Sequence, residues 1–181
     1  MRSVLCFLSL IIVIASVGQT EIGPRIEAYP AGVISNLQVS IFSGEKSAWN
    51  IKAGYNLTDR KDFGEFDNEE GGGLGFGGDY RYYFKSGNKG FYAEAGVELW
   101  FMKIDWLSRS DDIAIPDITG QTDITVLQPT IGVGYQLRSQ NNNWAATLGL
   151  TVGREVNIKT KGESVGQGGI TIGTISITRR L

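Results

Sequence analysis

Apolar and polar residues alternate along four long stretches of this chain, at positions 49–58, 91–101, 127–138 and 144–153. In the first stretch Trp49, Ile51 and Tyr55 alternate with polar residues and glycine. Successive side chains of a β-strand point to opposite faces, so a period of two residues predicts strands with one apolar and one polar face. Alternation this long, repeated four times, is not expected by chance.

Three weaker stretches, 20–29, 37–41 and 168–181, and the aromatic-rich stretch 71–84 complete a set of eight. The apolar positions of the last stretch change phase between Ile172 and Ile175, which predicts a β-bulge at Gly173. Eight alternating stretches separated by turn residues are typical of an up-and-down barrel. The chain between them offers no amphipathic helix.

The predicted connections alternate in length. Residues 44–47, 86–89 and 139–143 form short polar connections, whereas 59–71, 108–123 and 160–167 are longer. In an eight-stranded barrel the three short connections lie at the end where the chain starts and finishes. Short turns on one side and longer loops on the other are the arrangement of bacterial outer-membrane barrels.

One stretch, GGGLGFGGDYRYYF at 71–84, matches the dinucleotide-binding spacing G-x-G-x-x-G at Gly73, Gly75 and Gly78. That motif binds a pyrophosphate only where a helix follows the glycines, because the helix N-terminus supplies the N–H donors. Here the residues that follow, from Asp79 to Phe84, alternate as a strand does. We therefore interpret this stretch as a strand and exclude a nucleotide site.

The apolar face could point inward, as in a soluble lipocalin-like carrier, or outward into lipid. Three observations favour lipid. Glycines concentrate on the polar face, which suits the narrow interior of an eight-stranded barrel, and the clear apolar faces bear no charge at midspan. Aromatic residues of the apolar face cluster near the short turns, where an interfacial girdle is expected: Trp49, Phe84, Phe91, Tyr135 and Trp144. We predict an all-β fold, an eight-stranded antiparallel up-and-down transmembrane β-barrel.

The N-terminus is typical of a secretory signal peptide. Arg2 precedes an apolar run from Val4 to Ile14, which is too short to span a membrane as a helix, and small residues follow at Ser16 and Gly18. We predict a signal peptide over 1–18 and an outer-membrane β-barrel domain over 19–181. The single cysteine, Cys6, lies in the predicted signal peptide, so no disulfide is expected.

Composition narrows the possible functions. The chain has no histidine, which excludes Ser-His and Cys-His nucleophilic catalysis and disfavours the usual metal sites. Its formal charge of −2 argues against a nucleic-acid partner. We therefore predict no catalytic residue, no cofactor and no metal.

Over essentially its whole predicted mature length, the sequence resembles the small eight-stranded bacterial outer-membrane barrel proteins. The resemblance implies a location in the outer membrane of a Gram-negative cell envelope, after cleavage of the signal peptide. It also implies contact with outer-membrane lipid and lipopolysaccharide and with the barrel-assembly machinery. We expect a monomer.

The predicted inner face collects charged residues of both signs. Burying them without partners would be costly, so we expect them to pair in a structural network that fills the lumen; a narrow path for protons or small ions is the alternative. The network comprises Arg25, Glu27, Lys52, Asp79, Arg81, Glu94, Glu98, Arg138 and Glu155.

The longer connections are acidic. Residues 59–70 include Asp59, Asp62, Glu65, Asp67, Glu69 and Glu70, and residues 111–123 include Asp111, Asp112, Asp117 and Asp123. We interpret them as solvated loops that could meet an extracellular protein partner through Phe63, Phe66, Ile113, Ile115 and Ile118. They could also bridge divalent cations, but no calcium-loop spacing is present.

Three functions remain open. A non-enzymatic outer-membrane protein with a structural, envelope-stability or surface-interaction role leads. A soluble carrier of a small apolar ligand is second. A narrow ion-conducting barrel or a membrane-embedded lipid-modifying enzyme is third.

Overall fold

The computed structural model describes residues 19–61, 64–110 and 116–181. The predicted signal peptide lies outside these ranges. Eight strands follow in chain order: β1 Thr20–Tyr29, β2 Gly32–Phe42, β3 Ser47–Lys61, β4 Asn68–Lys85, β5 Lys89–Ser108, β6 Ile118–Arg138, β7 Trp144–Lys161 and β8 Gly168–Arg180.

Each strand pairs antiparallel with its neighbours in sequence, and β1 pairs with β8, so the sheet closes into a barrel. Closure leaves no strand edge without a partner. The predicted all-β, eight-stranded antiparallel up-and-down barrel is confirmed. Within the described ranges, no helix is long and apolar enough to cross a membrane.

The two ends of the barrel differ. The connections 43–46, 86–88 and 139–143 lie at one end, here called the turn end, together with both ends of the described chain. The tight turn 30–31 and the connection 162–167 lie at the opposite loop end, where β3 ends at Lys61, β4 begins at Asn68, β5 ends at Ser108 and β6 begins at Ile118. The predicted loops at 59–71 and 108–123 were too long, because β3 to β6 continue into them as paired strands.

The wall of the barrel is uneven in height. β5 and β6 contain 20 and 21 residues, whereas β1 and β2 contain 10 and 11. Every strand is already paired with its neighbours close to the turn end, so the additional residues of the longer strands lie towards the loop end. One side of the barrel therefore rises above the other.

The predicted bulge at Gly173 is wrong. β8 pairs without interruption with β7 and leaves Ile170 and Ile172 buried inside, while Ile175 and Ile177 point outward. The phase of β8 therefore does not change. The inward residues of β8 are apolar near the loop end and polar towards the turn end.

Glycines on the inner face make room for large partners, as the sequence suggested. A Cβ added at Gly77 would lie 2.6 Å from Cγ of Glu98, and one added at Gly75 would collide with the Trp100 ring. In the register, Gly77 stands directly between Lys52 on β3 and Glu98 on β5. Its missing side chain lets these two residues meet across it.

Candidate functional site

Arg25 of β1 lies at the centre of the charged network inside the barrel. Its guanidinium contacts Glu27 at 2.8 Å, Glu94 at 3.4 Å and Asp79 at 3.5 Å, and only 2% of its side chain is exposed. These partners come from β1, β5 and β4, so one cation joins three strands around the ring. Charge-assisted hydrogen bonds of this kind are the strong ones.

Two further cations extend the network. The Lys52 ammonium lies 2.9 Å from Glu27 and 2.5 Å from Glu98. Arg81 pairs with Glu94 at 2.8 Å and covers the Tyr92 ring, with 3.9 Å between its Cζ and the ring centroid. The structure therefore brings together seven of the nine residues expected in the lumen.

The other two, Arg138 and Glu155, lie in separate clusters. Near the turn end Arg138 pairs with Glu21 at 2.5 Å. Near the loop end Arg60 pairs with Glu155 at 2.6 Å and with Glu69 at 3.3 Å. Glu21, Arg60 and Glu69 were not among the predicted network residues.

The alternation of inward and outward residues could have identified at least two of these missed residues. Glu21 shares the phase of Arg25 and Glu27, and Arg60 shares the phase of Lys52. Arg60 and Glu69 were instead assigned to a solvated acidic loop, because the strands were expected to stop earlier. The structure buries Glu69 completely and directs it inward.

Glu69 also holds a loop over the barrel mouth. Its carboxylate accepts hydrogen bonds from the backbone N–H groups of Glu65 and Gly166 at 2.7 and 3.0 Å, and Arg60 donates to the Gly166 carbonyl. Val165, beside Gly166, is fully buried. Loop 162–167 is thereby fixed across the interior at the loop end.

Carboxylates outnumber cations inside the barrel. The buried cations of the three clusters are Arg25, Lys52, Arg60, Arg81 and Arg138, and the carboxylates are Glu21, Glu27, Glu69, Asp79, Glu94, Glu98 and Glu155. Five minus seven leaves a formal charge of −2 among these groups. One buried carboxylate oxygen of Glu98 and one of Glu155 have no hydrogen-bond partner among the described residues. Gln128, on the strand between them, has no such partner for either amide atom. Because carboxylates outnumber cations, Lys52 and Arg60 are each shared between two carboxylates.

Two apolar clusters enclose the central charged network. Near the turn end lie Phe42, Ala48, Tyr83 and Tyr92. Towards the loop end lies a larger cluster drawn from β1, β2, β5, β6, β8 and loop 162–167: Tyr29, Ile34, Trp100, Met102, Ile104, Ile124, Val126, Val165, Ile170 and Ile172. The sequence had not predicted this second cluster. Apolar side chains thus occupy the interior on both sides of the central charged network.

The outer surface bears a continuous apolar belt. On β5 the outward residues from Phe91 to Phe101 are apolar, and the next outward residue is Lys103. At the opposite edge Lys46, Lys85 and Lys89 are exposed near the turns. All five aromatics expected at the interface lie on this outer face near the turn end, and between 41% and 65% of each is exposed: Trp49, Phe84, Phe91, Tyr135 and Trp144.

No protein-family model and no curated protein matches this chain. Among solved structures, the N-terminal β-barrel domain of Pseudomonas aeruginosa OprF matches with a TM-score of 0.50 and 13% identity, over 91% of this chain and 98% of that one. The chain has the fold of an eight-stranded outer-membrane β-barrel.

Two further structures are reported for comparison. The attachment invasion locus protein Ail of Yersinia pestis, crystallised with the heparin analogue sucrose octasulfate, gives a TM-score of 0.46 at 10% identity, over 90% and 97% of the two chains. Neisserial surface protein A gives 0.48 at 11%, over 90% and 95%. At these identities the likeness concerns the fold alone.

Proposed function

We propose that this protein is a non-enzymatic integral protein of the bacterial outer membrane, with a structural, envelope-stability or surface-interaction role. In this proposal the mature chain is 19–181, the turn end faces the periplasm and the loop end faces outward. The observation on which it rests is the apolar outer belt, bounded by charges at both edges.

The height of the belt fits a bilayer. From Phe91 to Phe101 the chain advances ten residues. At about 3.3 Å per residue and a strand tilt of about 40°, this distance corresponds to about 25 Å along the barrel axis. An outward apolar band of about 25 Å is what a transmembrane barrel requires.

The other candidate functions fit the interior less well. A soluble carrier of an apolar ligand needs an apolar cavity and a polar exterior, whereas this barrel is charged inside and apolar outside. An ion path would have to cross the larger apolar cluster, which includes Trp100 and Ile172. Catalysis by the usual histidine-dependent groups is excluded by the sequence, which has no histidine.

We propose three partners for the molecule: outer-membrane lipid, the barrel-assembly machinery and an extracellular protein. The belt would contact outer-membrane lipid, including lipopolysaccharide, and the barrel-assembly machinery would insert it as a monomer. At the loop end Asp59, Glu65, Glu70 and Asp117 are exposed and could meet an extracellular protein partner. Phe66 instead stacks on Trp106 with ring centroids 4.2 Å apart, and Phe63, Asp62 and residues 111–115 lie outside the described ranges.

Spin labels on two adjacent residues of β7 test the proposal. Leu150 is 54% exposed in the belt, whereas Thr151 is 4% exposed and points inward. We expect a label at Leu150→Cys in the reconstituted protein to be accessible to oxygen, which concentrates in lipid, and a label at Thr151→Cys to be shielded from it. Because Cys6 is the only native cysteine, mature protein would contain only the introduced label.

The matched pair makes the result clear. A label at position 150 that responds to a water-soluble relaxation agent and not to oxygen, in protein that stays folded without detergent, would refute membrane integration. The same agent reaching position 151 would refute a filled lumen.

A further inference from the structure

Three lysines meet on the outer surface just above the apolar belt. Lys103 of β5 and Lys159 and Lys161 of β7 line one shallow groove of about 370 Å³, whose wall also includes Phe101 and Thr125. All three lysines are exposed. The groove therefore combines positive charge with a floor that continues the belt.

The strand register places these lysines around a single carboxylate. Asp123 of β6 pairs with Lys103 on one side and with Lys161 on the other, and Thr125 pairs with Lys159. The Lys103 ammonium lies 3.9 Å from the Asp123 carboxylate. Three positive groups and one negative group leave the groove with a formal charge of +2.

A β-bulge in β7 directs two of these lysines outward. In the alternation of β7, Lys159 and Lys161 share the phase of Glu155, which is buried inside the barrel. The register shifts where Val126 pairs with Asn157 and Thr125 with Lys159, so Ile158 is the extra residue. Bulges commonly re-aim side chains in this way at functional sites. The positive groove thus depends on a specific irregularity of the sheet.

The positive charge is local. One outward position nearer the loop end than Lys103, the register row Asp59, Glu70 and Asp105 on β3 to β5 is acidic. The outward cation of that side, Lys61, lies 3.6 Å from Asp59. A ligand attracted by charge would therefore bind to the β5–β7 side of the rim.

We propose that Lys103, Lys159 and Lys161 bind a phosphate group of the lipid A part of lipopolysaccharide. A ligand of this groove needs acyl chains that lie along the belt and an anionic group at the bilayer surface, immediately above Phe101. Ammonium groups near a bilayer surface attract anionic headgroups, and lysine binds phosphate as a point charge. This inference rests on the proposed function, because it requires the loop end to face the outer leaflet.

Binding of purified lipid A to the folded protein in zwitterionic detergent micelles tests the inference. We compare wild type with Lys103→Gln/Lys159→Gln/Lys161→Gln and with the control Lys61→Gln, measuring bound lipid by native mass spectrometry. We expect the triple variant to bind bisphosphorylated lipid A about tenfold more weakly or worse, since three ammonium groups are lost, and Lys61→Gln to match wild type. Removing the phosphates from lipid A should weaken binding to wild type and have little effect on the triple variant.

Several results would overturn the inference. They are equal binding by wild type and the triple variant, an equal loss in Lys61→Gln, or equal binding of dephosphorylated lipid A. Displacement by phosphatidylglycerol at equal concentration would also overturn it, because the groove would then attract any anionic lipid. The spin labels at 150 and 151 distinguish failure of this inference from failure of the proposed function. A lipid-facing label at 150, with lipid A binding unchanged in the triple variant, refutes only the lipid A site. A water-exposed label at 150 refutes the membrane location itself.

Discussion

Replacing Gly77 by alanine should destabilise the barrel by disturbing the pair that meets across it. The added Cβ would lie 2.6 Å from Cγ of Glu98 and 2.6 Å from the Val97 carbonyl oxygen. Carbon atoms in contact are normally about 3.5–4.0 Å apart, so the Glu98 side chain would have to move by about 1 Å. Glu98 is 2% exposed and is held by Lys52, so it has little room to do so.

The expected cost is that of overpacking a filled interior, about 1–3 kcal/mol. This corresponds to a folding equilibrium constant smaller by about fivefold to 150-fold. Gly173→Ala is the matched control, because a Cβ there faces outward and its nearest neighbour is 3.8 Å away. A surface substitution of this kind should change the free energy of unfolding by no more than about 0.5 kcal/mol.

Urea titration of the protein in lipid vesicles measures both variants, with folded and unfolded fractions separated on unheated gels. Gly77→Ala is also introduced into a Glu98→Ala background, which lacks the Cγ atom that the added Cβ would approach. The alanine at 77 should then cost less, and the deviation from additivity should be at least about 0.5 kcal/mol. Strict additivity, or a Gly77→Ala protein as stable as Gly173→Ala, would refute the proposed close packing across Gly77.

Two further predictions concern the belt and the cluster near the loop end. Ile131→Arg places a charge at the middle of the belt and should cost about 2–4 kcal/mol of folding free energy in vesicles, whereas Leu137→Arg at the turn-end edge should cost about 0–1 kcal/mol; equal costs would contradict a bilayer around the belt. Arg60→Met leaves Glu69 and Glu155 without their cation and should cost about 3–5 kcal/mol. Glu155→Gln preserves the pair of Arg60 with Glu69 and should cost less, and hydrogen exchange should show faster opening of loop 162–167 in Arg60→Met alone.

Much of the fold could be predicted because a barrel of this kind repeats one rule. Wherever polar and apolar residues alternated clearly, as from Trp49 to Thr58, the structure has a strand of the expected phase. That rule places Arg25, Lys52 and Glu94 on the polar face of their strands, and the glycines of that face, the uncharged midspans and the aromatic positions indicated that it is the inner face. Local alternation was sufficient to predict the eight strands, and together with the orientation of the apolar face it predicted most of the charged lining.

The rule failed where both faces of a strand have the same character. From Leu99 to Met102 every residue is apolar, so alternation could not show that Trp100 and Met102 form an inner cluster. Likewise, several polar residues in a row near Lys159 concealed the bulge that turns this lysine outward. These features depend on pairing between strands and on contacts with a distant loop, which a single strand does not encode.

The joint between the first strand and the last has a consequence for how the molecule forms. Thr178 donates a hydrogen bond to Glu21 across 157 positions of sequence, and Glu21 pairs with Arg180. The ring can therefore close only after β8 is available, and until then the growing sheet keeps two free edges. Contacts between such distant residues form slowly, and free edges with an apolar face promote aggregation. Until β1 pairs with β8, the chain therefore most needs protection from aggregation with other unfolded chains.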